Sequence, residues 1–417
     1  MVSIGSGPSQ FDKADVIASA SGRGVPDFSY NSFPPYDPGN PREMEMVVQP
    51  RGVRKAKDWS DETLRLGLFW PYSQTQMPNA RIGARNPSVM TVSNHLELAQ
   101  EIERLGFDFG LMADGFSTHS EDATRAGYLG TSSHALLWAL PLLFATRRLG
   151  FLSTINTSFT HPVQIARMAG HMDLLSGGRW GWNIVAGFRE NEARLFGLED
   201  LGEHHDRYGE AEESLELVKR YWRGQFVEFK GEYFSSSGQV RGPYPETSPL
   251  LVNAASSARG RQFAVSNCDM LFAGPADLDD TKMMIGEVRQ NADQMGVAHP
   301  PVLMLCDLFI RDEPGQARAE FEELMGTMEP GAMNLFRKQY SRVTTPGRTI
   351  GQIPGFIGTP DEVAEQIIET KRQCDVTGLL FRSLLWSVEN IRRLEPVIAL
   401  LRKAGVWTPP EERGAGW

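Results

Sequence analysis

The sequence has little cysteine, no surplus of positive charge and no apolar run long enough to cross a bilayer. Its three cysteines never form a CxxC spacing, so we expect small buried hydrophobes and not a disulfide framework. The formal net charge of -10 argues against a phosphate-backbone partner, which needs a clustered positive face. The stretch MVSIGSGPSQFDKADVIASASG lacks the charged and apolar regions of a secretory signal. We therefore expect a cytoplasmic protein with no nucleic-acid or membrane partner.

Several motifs that identify enzyme classes are also missing. No GxGxxG follows a strand, and GxxxxGK[ST], GxSxG and HExxH do not occur. These absences disfavour dinucleotide-fold, P-loop, elbow-type hydrolase and zincin chemistry. The EHHD run at 203–206 contains possible metal ligands, but adjacent loop residues rarely converge on one ion. We expect these residues to cap a helix, and we predict no metal site.

From Leu64 onward, short apolar runs alternate with longer amphipathic stretches. The predicted strands are 64–70, 107–112, 149–155, 180–186, 250–255, 269–273, 302–310 and 378–384. The predicted helices are 92–106, 134–146, 162–176, 208–223, 257–267, 280–296, 315–327, 360–374 and 388–404. Nearly all-apolar strands between amphipathic helices indicate a parallel sheet covered on its outer face, and eight such units close naturally into a barrel. The sequence therefore predicts an α/β protein with a (β/α)8 TIM barrel.

The composition divides the chain into an arm, a barrel and a tail. Residues 1–62 are rich in Gly, Pro, Ser and Asn, which favours an extended arm that wraps over its own core or a second subunit, or a loosely held tail. Residues 63–407 are the predicted barrel, and 408–417 a carboxyl-terminal tail. The connections at 71–91 and 328–358 are too long for simple βα loops. The second, an insertion before the last βα unit, is either a lid or a structural insertion.

Six segments together carry a resemblance to a known family. They are SGGRWGWNIVAGF, HDRY, NAASSARG, GFDFGLM, SSHALLWALPLLFATRRLGFLSTI and GFIGTPDEVAEQI. They resemble the bacterial luciferase-like family of flavin-dependent monooxygenases, and the similarity extends from about residue 64 to 404. The chain looks closest to the branch that holds dimethylsulfone monooxygenase and pyrimidine monooxygenase.

The resemblance implies a two-component FMNH2-dependent monooxygenase. FMN would arrive as FMNH2 from a separate NAD(P)H:flavin reductase and meet O2, and a C4a or N5 flavin peroxide would attack a small organic substrate. Organosulfur, pyrimidine-like and halogenated aromatic substrates all stay open. The arginine-rich lid motif of the alkanesulfonate branch is missing, which lowers our expectation of that substrate. The family also implies a homo-oligomer, a dimer or tetramer.

FMN presents a dianionic phosphate and a polar ring edge, so its site needs anion donors and amide-type partners. Arg207 offers a bidentate fork, Tyr208 a hydroxyl, and Ser257 the start of a helix, which together form a predicted phosphate site. Arg207 could instead form a surface ion pair, and Ser257 could simply cap its helix. Asn183 lies in an apolar strand where its amide needs a bound ring or a neighbouring backbone as partner, and we assign it to the flavin edge and to catalysis.

Three further positions match flavin-contacting positions of the family by the same resemblance. They are Asp114, Thr157 and Glu192. Asp114 and Thr157 could instead cap helices. The pyrimidine-degrading branch also carries different side chains at the position of Asp114.

The implied reaction needs a dry site that closes. Six aromatic residues at or after strand ends could form its apolar wall, although core packing explains each of them better when it is taken alone: Trp70, Tyr72, Phe116, Phe159, Phe188 and Trp386. His161, after the third strand, is the predicted proton-transfer group, with a helix-start role before Pro162 as its alternative. His119 and His134 are weaker candidates.

Other functions stay open on the same barrel. One is an F420-dependent dehydrogenase that transfers hydride without O2, and another is a non-catalytic flavin-binding protein. A barrel glycosidase would need two acidic residues at strand ends, a role into which Asp114 and Glu192 could be forced.

Overall fold

The structure, a computed structural model, describes residues 63–187, 189–199, 204–331, 334 and 355–413, with 204–206 as backbone only. The predicted arm at 1–62, Phe188 and most of the predicted insertion at 328–358 lie outside the described residues. The division into arm, barrel and tail therefore stays a prediction.

Eleven strands lie in the described part of the chain. Their bounds are β1 Arg65–Phe69, β2 Phe109–Met112, β3 Gly150–Asn156, β4 Trp180–Val185, β5 Val227–Lys230, β6 Ser235–Gly238, β7 Leu250–Ala254, β8 Met270–Ala273, β9 Val302–Ile310, β10 Gly355–Gly358 and β11 Gly378–Ser383.

Thirteen helices have both ends within the same described ranges. They are α1 Ala80–Arg85, α2 Val92–Arg104, α3 Glu121–Arg125, α4 Ala135–Ala145, α5 Pro162–Ser176, α6 Glu190–Leu195, α7 His204–Trp222, α8 Ala258–Asn267, α9 Leu278–Met295, α10 Gln316–Gly326, α11 Pro360–Cys374, α12 Val388–Arg392 and α13 Leu394–Lys403.

Eight parallel strands close a barrel in the order β1, β2, β3, β4, β7, β8, β9 and β11, with β11 again beside β1. All eight predicted strands are confirmed, because strands covered on both faces carry the uninterrupted apolar runs that mark them in sequence. The predicted TIM barrel is likewise confirmed.

Alternation along the strands separates two apolar layers. The interior of the barrel is filled by side chains such as Phe109, Leu152, Val252 and Leu380. The opposite strand faces pack against the helices in a larger outer layer. Three interior residues are only partly buried, and they mark the floor of the barrel mouth: Phe69, Ala254 and Leu305.

Two strand pairings lie outside the predicted pattern. β10, at the end of the predicted insertion, pairs in parallel with β9 from Gly355 opposite Asp307 to Gly358 opposite Ile310. β5 and β6 form an antiparallel hairpin between α7 and β7. The short helices α1, α3 and α6 were not predicted either, and α1 lies inside the long connection at 71–91.

Local sequence explains where several elements begin. α11 starts with a capping box, in which Thr359 Oγ1 accepts from the Glu362 N–H and the Glu362 carboxylate accepts from the Thr359 N–H. The start of the predicted tail is held to the barrel, since the Thr408 N–H donates to Thr63 Oγ1 at 2.8 Å. No helix within the described ranges has the length and apolarity needed to span a membrane.

Candidate functional site

The candidate site lies at the carboxyl ends of the barrel strands. A cavity of about 490 Å³ opens there, between the loops that follow β2 and β3 and the first turns of α4 and α5. Four predicted residues line it: Asp114, Phe116, His134 and Phe159. This is the end of a parallel barrel at which enzymes of this architecture carry their chemistry.

Asn183 and Thr154 form a polar pair inside the barrel. They lie directly opposite each other on β4 and β3, and Asn183 Nδ2 donates to Thr154 Oγ1 at 2.8 Å. Asn183 Oδ1 is buried and has no hydrogen-bond partner among the described residues. An unsatisfied buried carbonyl costs about 1–3 kcal/mol. The pair therefore offers an acceptor to a bound N–H group, and Thr154 extends it to the cavity wall.

Three phenylalanines form the aromatic side of the cavity. The rings of Phe159 and Phe196 stack with centroids 4.5 Å apart, and Phe116 meets both edge-on at 5.8 and 5.0 Å. Phe196 was not predicted, because it follows a helix and not a strand. The cluster gives the cavity an apolar surface, with Phe116 and Phe196 half-exposed at its rim.

Glu192 holds the loop that carries Phe116. Its Oε1 accepts from the Phe116 N–H at 3.0 Å and lies 3.3 Å from Arg189 Nη1, with both side chains buried. Gly115 allows this approach, because a Cβ there would lie 2.7 Å from both Arg189 Nη1 and Glu192 Oε1. Through these contacts Glu192 stabilises the loop after β2 that carries Phe116.

Asp114 joins the end of β2 to the start of α4. Its two carboxylate oxygens accept from the backbone N–H groups of Gly115 and Ala135, each at 2.8 Å. His134 Nδ1 lies 3.5 Å from the same carboxylate. Burial raises the pKa of Asp114, while these two N–H groups and His134 lower it. In the structure Asp114 therefore accepts a hydrogen bond from the start of α4, which is the capping role named above as its alternative.

Two of the three predicted phosphate residues, Tyr208 and Ser257, meet at the start of α8. Ser257 caps this helix, with Oγ accepting from the Gly260 N–H at 3.0 Å. A Cβ at Gly260 would lie 2.7 Å from Tyr208 Oη and 3.1 Å from Ser257 Oγ, so both hydroxyls converge on this glycine. Burial raises the pKa of Tyr208, which keeps its hydroxyl protonated as a donor. Arg207 lies beside Tyr208 in the first turns of α7 and is half-buried.

Two predicted pocket residues lie away from the cavity. Trp70 and Trp386 are 0% and 1% exposed in the outer layer. Both pack around His95, which accepts from Trp70 Nε1 at 2.9 Å and lies 5.3 Å from the Trp386 ring. Trp70 continues the outward-facing series of Leu66 and Leu68, so the alternation of β1 directs it to the helices. The expected role of both tryptophans as pocket wall is thereby corrected to core packing.

Three other predicted site residues make their contacts outside the cavity. Thr157 is buried and donates its hydroxyl to the Val185 carbonyl at 3.3 Å. Tyr72 is buried in a separate apolar cluster. His161 is exposed at the start of α5, where Nδ1 accepts from the Val163 N–H at 3.3 Å. None of the three lines the cavity.

The barrel also holds an ion pair that the sequence analysis missed. Arg382 Nε donates to Asp307 Oδ1 at 2.7 Å and Nη2 to Oδ2 at 3.0 Å, with both residues buried. The two residues are register partners on β11 and β9 and follow the interior residues Leu380 and Leu305 by two positions. In the sequence, each of these strands carries a single charged residue within its apolar run. That residue lies two positions after an interior residue, so strand alternation places its side chain inside the barrel.

Comparisons with known proteins place this geometry in a family. A sequence model described as luciferase-like monooxygenase matches residues 64–377. The chain is 29% identical over 296 residues to the N-acetyl-S-(2-succino)cysteine monooxygenase of Bacillus subtilis (strain 168), a match that covers 64% of this chain and 66% of that relative. It is 26% identical over 295 residues to the FMNH2-dependent dimethylsulfone monooxygenase of Pseudomonas fluorescens (strain Pf0-1), covering 66% of this chain and 78% of that relative.

A solved structure shows the same fold. A riboflavin lyase, crystallised with modified FMN and its substrate riboflavin, aligns with a TM-score of 0.75 at 24% identity, over 83% of this chain and 93% of that one. Because the family match extends over more than half of the 417 residues, the chain belongs to the luciferase-like monooxygenase family and is an enzyme of the flavin-dependent monooxygenase class.

Proposed function

We propose that the protein is the oxygenase of a two-component system. It would take reduced FMN from a separate NAD(P)H:flavin reductase and insert one oxygen atom of O2 into a small organic substrate, of organosulfur, pyrimidine-like or halogenated aromatic type. The observation that carries the proposal is the convergence of the Tyr208 and Ser257 hydroxyls at the first turn of α8. A helix start with two hydroxyl donors suits a phosphate dianion.

The described residues fit the rest of FMN. Arg207 and Tyr208, with Ser257 and the N–H groups of α8, would hold the phosphate. Asn183 Oδ1, buried without a partner in the described chain, would accept from the ring edge. The name of the Pseudomonas relative supports FMNH2 as the form that is used. When bound, reduced FMN supplies the electrons that activate O2.

The residues around the cavity would exclude water and move a proton. Phe116, Phe159 and Phe196 keep one side apolar. Asp114 and His134 both line the cavity, with His134 Nδ1 3.5 Å from the Asp114 carboxylate, so they would lie closer to a bound ligand than His161, which does not line it. His161 stays a prediction that activity and pH profiles of its variants can test.

Flavin binding tests the phosphate assignment. Gly260→Ala places a methyl group against the Tyr208 hydroxyl, so we expect about tenfold weaker binding of FMN and an unchanged affinity for riboflavin, which lacks the phosphate. Isothermal titration of both flavins measures the difference. Gly286→Ala is the matched control, because no atom lies within 4 Å of a Cβ there.

An equal loss for FMN and riboflavin in Gly260→Ala would contradict the phosphate assignment. The oxygenase assignment has its own assay, in which the protein is supplied with FMN, a flavin reductase, NADH and air. We expect oxidised product only when all four are present. Turnover of an F420-dependent kind without air would replace the oxygenase by a dehydrogenase on the same barrel.

We also infer a homo-oligomer, a dimer or tetramer. α4 has the sequence ALLWALPLLFA, which is apolar on every side, a composition typical of helices covered all round. Yet Leu137 and Phe144, two turns apart on one face, are 63% and 60% exposed. A second copy of the chain would cover that face.

A further inference from the structure

The cavity at the barrel mouth has two chemically different ends. Its inner end reaches Thr154, whose hydroxyl accepts from the Asn183 amide, and so touches the proposed flavin site. Its outer end lies against α5, where Gln164, Arg167 and Met168 share one helical face at spacings of three and four residues. The volume of about 490 Å³ is of the order that holds a small organic ligand.

The body of the cavity is apolar and aromatic. Phe116, Phe159 and Phe196 supply a continuous ring surface, and Leu136 and Met168 supply aliphatic and thioether surface. Such walls favour a ligand with an apolar, ring-containing or alkyl body over a wholly hydrated one.

The outer end carries a positive charge. The Arg167 side chain lines the cavity, and within the described chain no carboxylate lies within 4.0 Å of it. The carboxylate of Asp114, which lines the same cavity, already accepts two backbone N–H groups. Arg167 and the Gln164 amide therefore present donors to whatever occupies the outer end.

We propose that this cavity is the substrate subsite and that it selects a molecule with an apolar body and a terminal anionic group, a carboxylate or sulfonate, bound by Arg167. The inference rests on the proposed function, since the ligand would be the substrate of that oxygenase. The anionic group would lie at α5, and the part of the substrate to be oxidised would extend toward Thr154 and Asn183. Arg167 would then determine specificity without taking part in the chemistry.

Two probes of equal shape test the charge preference. 4-Phenylbutyrate and 4-phenylbutan-1-ol differ only in the terminal group, and titration calorimetry on the full chain measures both affinities. We expect the acid to bind about fivefold more tightly than the alcohol, the effect of one charge pair at a partly exposed site. Arg167→Gln should bring the two affinities together, and Arg167→Lys should retain most of the difference.

Arg147→Gln is the matched control, because it removes an equal charge from an exposed arginine at the opposite end of β3, and it should retain the preference for the acid. Equal affinities for acid and alcohol in the unchanged protein overturn the inference. So does a preference for the acid that survives Arg167→Gln. The preference for FMN over riboflavin, measured on the same samples, reports on the proposed function separately, and its absence would count against that function whatever the probes show.

Discussion

At the scale of single residues, each ring nitrogen of the buried His95 has one hydrogen-bond partner. Its Nδ1 accepts from Trp70 Nε1 at 2.9 Å, and its Nε2 lies 2.8 Å from the Val89 carbonyl. Because a carbonyl only accepts, Nε2 carries the proton and the ring is neutral. Burial lowers the pKa of His95 to about 4 from the ordinary value of 6.5, against a smaller opposing effect of the Val89 hydrogen bond.

This pKa predicts how stability depends on pH. Between pH 6.5 and 4 the unfolded chain binds a proton at His95 that the folded chain does not, so the free energy of unfolding falls as the pH is lowered through that window. The loss attributable to His95 is at most about 3 kcal/mol. His95→Gln keeps a donor and an acceptor but does not titrate, and denaturant unfolding across the window should show a flatter profile. The exposed His171→Gln should leave the profile as it was, and an equally steep profile in His95→Gln would refute the prediction.

Some residues of the candidate site could not be identified from the sequence, for reasons that concern single residues. Thr154 lies near the end of β3 and Thr157 directly follows the strand, yet only Thr154 faces Asn183, because alternation turns it toward the barrel interior. Arg167 is one of many exposed helix positions, and nothing in one sequence separates it from a solvated charge. Tyr208 and Ser257 could be found because each lies at the start of a helix within a recognisable motif.

At the scale of elements, α6 positions the loop after β2. Glu192 accepts the Phe116 N–H and pairs with Arg189, so a six-residue helix fixes an aromatic residue of the cavity. Helix and loop are far apart in sequence but meet at one rim of the barrel.

Glu192→Ala should release that loop. Removing a buried carboxylate from beside Arg189 is expected to lower the free energy of unfolding by about 3 kcal/mol and to expose the Phe116 amide. Hydrogen exchange at Phe116 should then lose its protection. Glu190→Ala alters an exposed carboxylate of the same helix, and protection should persist there. Retained protection in Glu192→Ala would show that the loop is held by other contacts.

Element length decided which parts of the fold were predictable. The eight barrel strands carry apolar runs on both faces, α11 carries a clear helical period with a capping box, and α5 carries Pro162 at its start and Gly177 at its end. α1, α3 and α6 have five or six residues, too few for a period to repeat. β6 has the sequence SSSG, whose composition favours a turn, and its pairing with β5 is what makes it a strand.

At the scale of the whole molecule, α4 leaves an apolar face exposed to solvent. Leu137 and Phe144 extend it over two turns, and α5, which packs beside α4, exposes Leu174 and Leu175. Apolar surface of this kind is typical of contacts between protein subunits.

Phe144→Glu should therefore weaken self-association. A charge buried in a subunit contact without a partner costs several kcal/mol, so we expect a smaller molar mass by light scattering at the same protein concentration. Phe226→Glu changes a phenylalanine that is 66% exposed, outside both helices, and should keep the mass of the unchanged protein. An unaltered mass in Phe144→Glu would remove α4 from the contact.

The Asp307–Arg382 pair limits how the barrel mouth can change over evolution. Replacing either residue alone would leave the other's charge buried without a partner, which lowers the free energy of unfolding by roughly 3–5 kcal/mol. Replacing both with apolar residues of similar volume is often neutral. Remodelling of this wall, by natural descent or in the laboratory, is thus expected to proceed through double substitutions. Libraries that vary one codon at a time would never reach such variants.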